Sequence, residues 1–425
     1  MLSGATVISV PTQQPTIQAG IDAASAGDTV RVSPGHYMEN IAIDKPLRLE
    51  STSLRQTIIE GNGTGDVIRI TSNGVTVAWF QIRGIGSESV LDGEWDAGVH
   101  IYWSDSCLVH NCDFLWGAAG VAVGCSQYNT IRNCHFSANQ AGVYLYEAYV
   151  ESEPSVRDNV GNRILHNQFC SADDYGVRFA HGGWVHHVSN EVRGNLFSKS
   201  HIGMGMIMSE TNEISYNLFS GNEWTGIDLM MCKCGGEGNM IHHNVFVKNG
   251  ETMQASDWGG GPDFWYDQNH NEGNYWSDYD GEDADGDGIG DTPYVIDVYD
   301  NVTDPYPLMG IADSDGDGVM DSVDICSDAS NSEQEGSDGD MVGVSCCCGV
   351  YTGGFTGNVD CDYYGKRSLT DITRLIDRVY LTHEPLCCEA NANVDGDAEG
   401  KINLSDVTRL IDNIYLSRAQ TAVCQ

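Results

Sequence analysis

NTIRNCHF (129–136), NRILHNQF (162–169), NEVRGNLF (190–197), NEISYNLF (212–219) and NMIHHNVF (239–246) repeat one template. A polar residue is followed by an aliphatic two later, a small polar residue five later and Phe seven later. Looser copies begin at Asn73 and Cys107, so the starts lie 22 to 34 residues apart. Such a period marks a solenoid, in which each unit buries its apolar face against the next. Like then stacks on like. Phe80, Phe114, Phe136, Phe169, Phe197, Phe219 and Phe246 are expected to form one interior column. Asn167, Asn195, Asn217 and Asn244 form a second, with Cys112 and Cys134 in the same register. Stacked Asn side chains satisfy turn amides along the axis.

Each repeat carries another short strand led by Gly, at Gly98, Gly120, Gly142, Gly176, Gly203 and Gly226. Period-two alternation points the first and third residues after Gly inward and the second outward. The outward column reads His100, Ala122, Tyr144, Arg178, Gly205 and Asp228. Two residues on come Tyr102, Gly124, Tyr146, Ala180, Ile207 and Met230. Short strands with turn residues at this period predict an all-β fold, a right-handed parallel β-helix solenoid. Ile17, Ile21 and Ala24 share one helical face and predict a short helix over the open end.

The chain has 425 residues, 41% hydrophobic, with a formal net charge of −40. That charge argues against nucleic acid and anionic membrane as partners, and no apolar run is long enough for a membrane span. Between Asn249 and Gly365 there are 27 Asp or Glu and no Lys or Arg. Such a block repels itself unless cations neutralise it. The 15 Cys include a Cys346-Cys347-Cys348 run and a Cys387-Cys388 pair, which suit disulfides of an exported tail. The opening MLSGATVISV (1–10) shows neither a basic region nor a long apolar stretch, so no signal peptide is visible in this chain, and a secreted or cell-surface protein is still expected.

GDTVRVSPGHYMENIAIDKPLRLES (27–51), the NxIxxNxF copies and GNYWSDYDGEDADGDGIGDTPYVID (273–297) resemble right-handed parallel β-helix proteins of the NosD-like, pectate-lyase-like group. The resemblance covers roughly residues 15–310 and implies fold more than function, because that scaffold hosts lyases, hydrolases, epimerases, adhesins and copper-site proteins.

Asp283, Asp285, Asp287 and Asp291 alternate with Gly in a pattern that converges on one hard cation. Asp313, Asp315, Asp317, Asp321 and Asp324 repeat the logic, and with the trailing Cys326 they resemble a thrombospondin type 3 repeat. A second repeat has a 35-residue period: a loop from Asn358 feeds LTDITRLIDRVYL (369–381), and a loop from Asn393 feeds LSDVTRLIDNIYL (404–416). Ile372, Leu375, Ile376 and Val379 make one apolar helical face; Val407, Leu410, Ile411 and Ile414 make the other. This duplicated unit resembles a dockerin, a small all-α calcium-binding domain. The resemblance implies Ca2+ ligands at Asn358, Asp360, Asp362, Ser368 and Asp371, then at Asn393, Asp395, Asp397, Asn403 and Asp406. It also implies a cohesin-like protein partner. Both loops open on Asn rather than Asp, so each has one charge fewer. The expected organisation is a β-helix with capping helix and calcium loop (1–310), an acidic linker (311–354) and a dockerin-like tail (355–425).

The outward columns suit a polysaccharide, since aromatic faces stack on sugar rings and Arg178 can hold a carboxylate. Expected substrate contacts are His100, Tyr102, Tyr144, Tyr146, Arg178 and Asp228. For a lyase, the catalytic candidates are Arg178, Tyr144 and His181. Paired Asp173 and Asp174 are the weaker, glycoside-hydrolase alternative. A different class places soft ligands for copper near one another: His181, Met208, Met231, Cys232, Cys234, His242 and His243. The leading expectation is an extracellular polysaccharide-binding or lyase-like module tethered by its tail. The alternatives are a non-catalytic scaffold or a NosD-like periplasmic copper-binding protein.

Overall fold

The computed structural model describes residues 5–53, 56–87, 94–148, 157–180, 185–230, 238–251, 253–258, 263–297 and 301–310, and in the tail Ile372, Leu375, Ile376, Val379, Val394 and residues 403–415. Two compact units result, Met1–Ile311 and Ala312–Gln425.

The first unit is a parallel β-helix. One face is a ten-stranded parallel sheet running from Val7–Val10 to Met240–His242. A second face carries the template's Phe strands, and a third carries the Gly-led strands. Asp113–Gly124 and His135–Tyr146 run through both of these faces and join them into one sheet. Pairing of the coil strands is parallel; the exit hairpin, Tyr294–Asp297 with Val302–Asp304, is antiparallel.

The Phe column is present from Phe114 to Phe246, each Phe paired in register with the next. Ring centroids lie 4.6 to 5.1 Å apart and nearly parallel. Trp276 and Tyr294 extend the stack at 4.3 and 4.2 Å. Phe80 is the exception. Thr76 pairs with Leu108 and Ile82 with Phe114, so that copy begins at Val75 and Ile82 takes the Phe position. Phe80 is buried two residues earlier. A slip of two preserves strand alternation, which is why the sequence pattern concealed it.

The guide glycines have a packing cause. A Cβ on Gly98, Gly120, Gly142, Gly176, Gly203 or Gly226 would meet a Phe ring carbon within 2.9 Å. Each ring therefore lies against a bare α-carbon.

The expected Asn ladder exists. Asn195 Oδ1 accepts from Asn167 N at 2.8 Å, while Asn195 Nδ2 donates to Ile164 O and Asn217 Oδ1, both at 2.9 Å. The ladder runs from Cys134 N to Asp304, whose carboxylate accepts from Asn274 N and Trp276 Nε1. Burial pushes the Asp304 carboxyl up to about 6 against those hydrogen bonds. A second ladder links Asn129, Asn162, Asn190, Asn212, Asn239 and Asp263. Its Asn members are the first residues of the template copies.

The capping helix is Ile17–Ala23, with Thr16 Oγ1 accepting from Ala19 N at 3.1 Å. Ile17, Ile21 and Ala24 are buried as expected. Cys107, Cys112, Cys125 and Cys134 are buried in the coil, and Cys170 is half-buried. The paired cysteines of the tail lie outside the described residues.

In the second unit, Ile372, Leu375, Val394, Val407 and Leu410 are buried together, with Ile376, Ile411 and Ile414 packed on them. The helix Leu404–Tyr415 opens with a capping box: Ser405 N donates to Asn403 Oδ1 and Asn403 N donates to Asp406 Oδ2, both at 2.8 Å.

Two outcomes test this packing. Asn195→Ala leaves Ile164 O and Asn167 N without their buried partner and should cost about 1–3 kcal/mol in denaturant unfolding. Burial pushes the fully enclosed His187 imidazole down to about 4, and its Nε2 donates to Ala180 O at 2.9 Å. The unfolded chain binds a proton at an ordinary His pKa of about 6.5, the folded chain only near 4. Stability from this residue is complete above pH 6.5 and is lost as pH falls toward 4. Unfolding curves of His187→Gln should lose that slope; curves parallel to wild type across the window would refute it.

Candidate functional site

The strand pairing gives the predicted outward column in register: His100 beside Ala122, then Tyr144, Arg178, Gly205 and Asp228. Arg69 extends it on one side and Ser256 on the other. The expected open groove is corrected, however. His100, Tyr144 and Tyr146 are fully buried, and Arg178 and Asp228 nearly so; Tyr102 alone is half-buried. Segments between the strands cover this face. Trp95, Ala148, Ala180 and Val185 pack with Tyr144 and Tyr146 in a second apolar cluster outside the coil. Alternation tells which side of a strand a residue takes, not what lies over it.

Beneath that cover is a hydrogen-bonded chain. His100 Nδ1 lies 2.9 Å from Asp66 Oδ2, and His100 Nε2 lies 2.7 Å from the Tyr146 hydroxyl. The carboxylate only accepts, so Nδ1 carries the proton and Nε2 accepts from the phenol. Tyr146 reaches back two coils because the intervening positions are small. Its hydroxyl lies over Gly124, where a Cβ would sit 2.8 Å from it, and Ala122 separates His100 from Tyr144.

Arg69 closes the group. Its Nη1 donates to Asp66 Oδ2 and to Glu94 Oε1, both at 2.7 Å, and its guanidinium lies 4.4 Å from the Tyr102 ring centre. Desolvation opposes the charge on Arg69, but Glu94 and Asp66 outweigh it and hold the guanidinium firmly protonated. Burial likewise raises Asp66, and its bonds to His100 and Arg69 overcome that, leaving it below the usual carboxylate range. Burial pushes the Tyr146 phenol far up. The Glu94 side chain is 47% exposed, so this ion pair opens to solvent. Asp66, Glu94 and His100 also bring one ligand atom each within 4.8 Å, but Arg69 occupies the space between the two carboxylates. Sequence reasoning misses both Asp66 and Arg69; the available signal is Arg69, one coil before His100 on the same column, with Asp66 just ahead of its strand.

Arg178 lies 4.9 Å from the Tyr175 ring centre and 5.9 Å from that of Trp95, which stacks on Tyr144 at 4.2 Å. Asp228 accepts from Ser256 Oγ at 2.6 Å, and burial raises its carboxyl. His181 lies outside the described residues.

Among the predicted metal residues, Asp283, Asp285 and Asp287 bring carboxylate oxygens within 4.8 Å of one another. Gly286 and Gly288 adopt φ of +76° and +87°, which turns the loop inward. Asp283 accepts from Gly288 N and Gly286 N, which holds its carboxyl low. Asp291 Oδ2 accepts from Ala284 N at 2.8 Å and closes the loop. Asp313, Asp315, Asp317, Asp321 and Asp324 lie outside the described residues, as do all the tail ligands except Asn403 and Asp406. Of the copper set, only Met208, His242 and His243 are described.

No helix among the described residues is long and apolar enough to cross a membrane. No curated protein matches the chain. Solved structures similar to it include ORF18 of Geobacillus virus E2, at 13% identity and TM-score 0.48, covering 66% of this chain and 63% of that one. The PL6-family alginate lyase AlyGC gives 13%, 0.41, 61% and 40%; PfbA, a surface adhesin of Streptococcus pneumoniae, gives 12%, 0.38, 61% and 80%. This chain thus spans less than two thirds of the viral and lyase structures. Residues 21–281 match the family described as periplasmic copper-binding protein (NosD), and the chain belongs to that family.

Proposed function

We propose that this protein acts outside the cytoplasm on an acidic polysaccharide, along the face carrying Arg69, His100, Tyr102, Tyr144, Tyr146, Arg178 and Asp228. The observation that carries this reading is the Arg69–Glu94 pair beside the Asp66–His100–Tyr146 chain. The exposed Glu94 carboxylate stands where a uronate carboxylate would sit on the guanidinium. Displacing Glu94, with Trp95 moving off Tyr144, opens the face to a sugar chain.

The chemistry such a set performs is β-elimination. Arg69 neutralises the uronate carboxylate and so acidifies the adjacent carbon, while Arg178, four strands further along the column, meets the carboxylate of another sugar of the chain. The Tyr146–His100 pair takes the C5 proton, with Asp66 holding the imidazole. The electron pair left on C5 forms the C4=C5 double bond and expels the glycosidic oxygen, which recovers a proton from the same relay. Tyr144 stacks against the sugar face.

Calcium is the proposed structural ion, held at Asp283, Asp285, Asp287 and Asp291 and in the tail loops. The tail is the proposed tether, docking a cohesin-like protein when calcium is bound.

Full-length protein incubated with polymannuronate, polyguluronate and polygalacturonate should release unsaturated products visible by ultraviolet absorbance. His100→Ala and Arg69→Ala should each lower the rate by roughly 100-fold or more. Absence of product, together with no retention on the three polymers, would leave a non-catalytic scaffold.

Calcium titration by calorimetry should lose one site in Asp285→Asn/Asp287→Asn, and chelator should lower the melting temperature. An unchanged stoichiometry would remove the loop from the account.

A further inference from the structure

Between each Phe strand and the Gly-led strand that follows, the chain turns a corner with a column of its own. Trp116, Ala138, Ser171, Lys199, Gly221 and Lys248 hold equivalent places there, since the residues just before them pair in register from coil to coil. All six have φ between +52° and +62°. Gly takes this backbone freely, whereas a bulky ring is an outlier in it. Trp116 is nevertheless 64% exposed, so packing within the coil does not account for its conformation. Trp224, three residues past Gly221 at the same edge, is 55% exposed. Its ring centre lies 6.2 Å from that of His201.

Charge singles out the same corner. The chain has a formal net charge of −40, and Arg31, Arg48, Arg69, Arg163 and Arg193 of the coil each pair with a carboxylate. Lys199 and Lys248 are exposed and form no ion pair among the described residues. Their corner positions are two strand spacings apart, about 9.6 Å. Gly221 lies between them, with open space where its Cβ would stand. The nearby Glu223 carboxylate is turned toward His201, 3.5 Å from its Nδ1. Asp278 follows Trp276 as Lys248 follows Phe246, and its carboxylate accepts from Gln254 Nε2 and the Tyr294 hydroxyl, which ends the strip.

We infer that this corner is a docking strip for an acidic polysaccharide, with Trp116 and Trp224 stacking on sugar rings and Lys199 and Lys248 meeting carboxylates. One sugar of an extended 1,4-linked chain advances by close to one strand spacing, about 4.8 Å, so a chain laid along the axis presents one sugar per coil. Carboxylates two sugars apart then fall at the two lysines, on either side of the bare Gly221. The indoles offer flat apolar faces, and the unpaired ammonium groups favour an acidic chain over a neutral one. The strip is open to solvent and separate from the covered Arg69–His100 group. It takes its polymer class from the polysaccharide reading above but not the elimination step.

The test is the retardation of calcium-loaded, full-length protein in native gels containing polymannuronate, with neutral mannan and polythymidylate as comparison polymers. Wild type should be retarded by polymannuronate alone, and less at raised salt. Trp116→Ala and Lys199→Ser install residue types that Ala138 and Ser171 already place in this corner, so the fold is kept. Trp116→Ala, Trp224→Ala and the double variant Lys199→Ser/Lys248→Ser should each raise the dissociation constant roughly tenfold. Wild type that is not retarded, equal retardation by mannan or polythymidylate, or variants retarded like wild type would overturn the strip. Product release with unchanged retardation in the variants would sink the strip and keep the elimination; lost retardation without any product would do the reverse.

Discussion

A benzene ring lying on a bare α-carbon sets the cross-section of this molecule. Each Phe of the pillar occupies the space that a Cβ on the facing Gly would need. Ring spacings of 4.6 to 5.1 Å match the distance between adjacent parallel strands, so one ring per coil fills the interior without a gap or a clash. The two columns impose each other. A larger residue at the Gly position would displace the ring, and a smaller one at the Phe position would leave a void on the axis. The Asn ladders meet the other demand of such a coil, the turn amides that the sheets leave unpaired. At the far end, Trp276, Tyr294 and Asp304 close pillar and ladder together.

This explains what could be read from sequence. Interior positions face identical neighbours in every coil, so they repeat, and the repeat carried the Phe pillar, one Asn ladder and the register of the His100 column. Phe80 mimics a pillar residue in the sequence because a two-residue shift leaves every side chain on its own face. The burial of Tyr144 and Tyr146 was illegible for another reason. Their cover comes from segments between strands, around Trp95, Ala148 and Val185, which have no repeat and no fixed spacing. The second Asn ladder was written in the template itself, but its first residue looked like a strand boundary rather than an interior group.

The site follows from the same stacking. Parallel coils place residues tens of positions apart at one strand spacing, so Asp66, Arg69 and His100 meet without any local motif. Their meeting with Tyr146 needs two omissions, the missing side chain at Gly124 and the short one at Ala122. Small residues inside an otherwise bulky column are thus what lets a phenol span two coils. A search for clusters of reactive residue types along the sequence passes over this, because the decisive residues are the ones without chemistry.

The turn column at the template's fifth position shows the converse. Its left-handed backbone is demanded by the coil's corner, and Asn at Asn111 and Asn133 tolerates that conformation at little cost. His166, Tyr216 and His243 fill the same corner with bulky rings, for which positive φ is less favourable. Packing accounts for those rings. A Cβ on Gly194 would meet the His166 imidazole at 2.6 Å, and Tyr216 stacks on His243 at 4.8 Å. The corner column therefore packs as the interior does, ring on bare α-carbon or ring on ring, and the left-handed backbone is offset by contacts with the next coil.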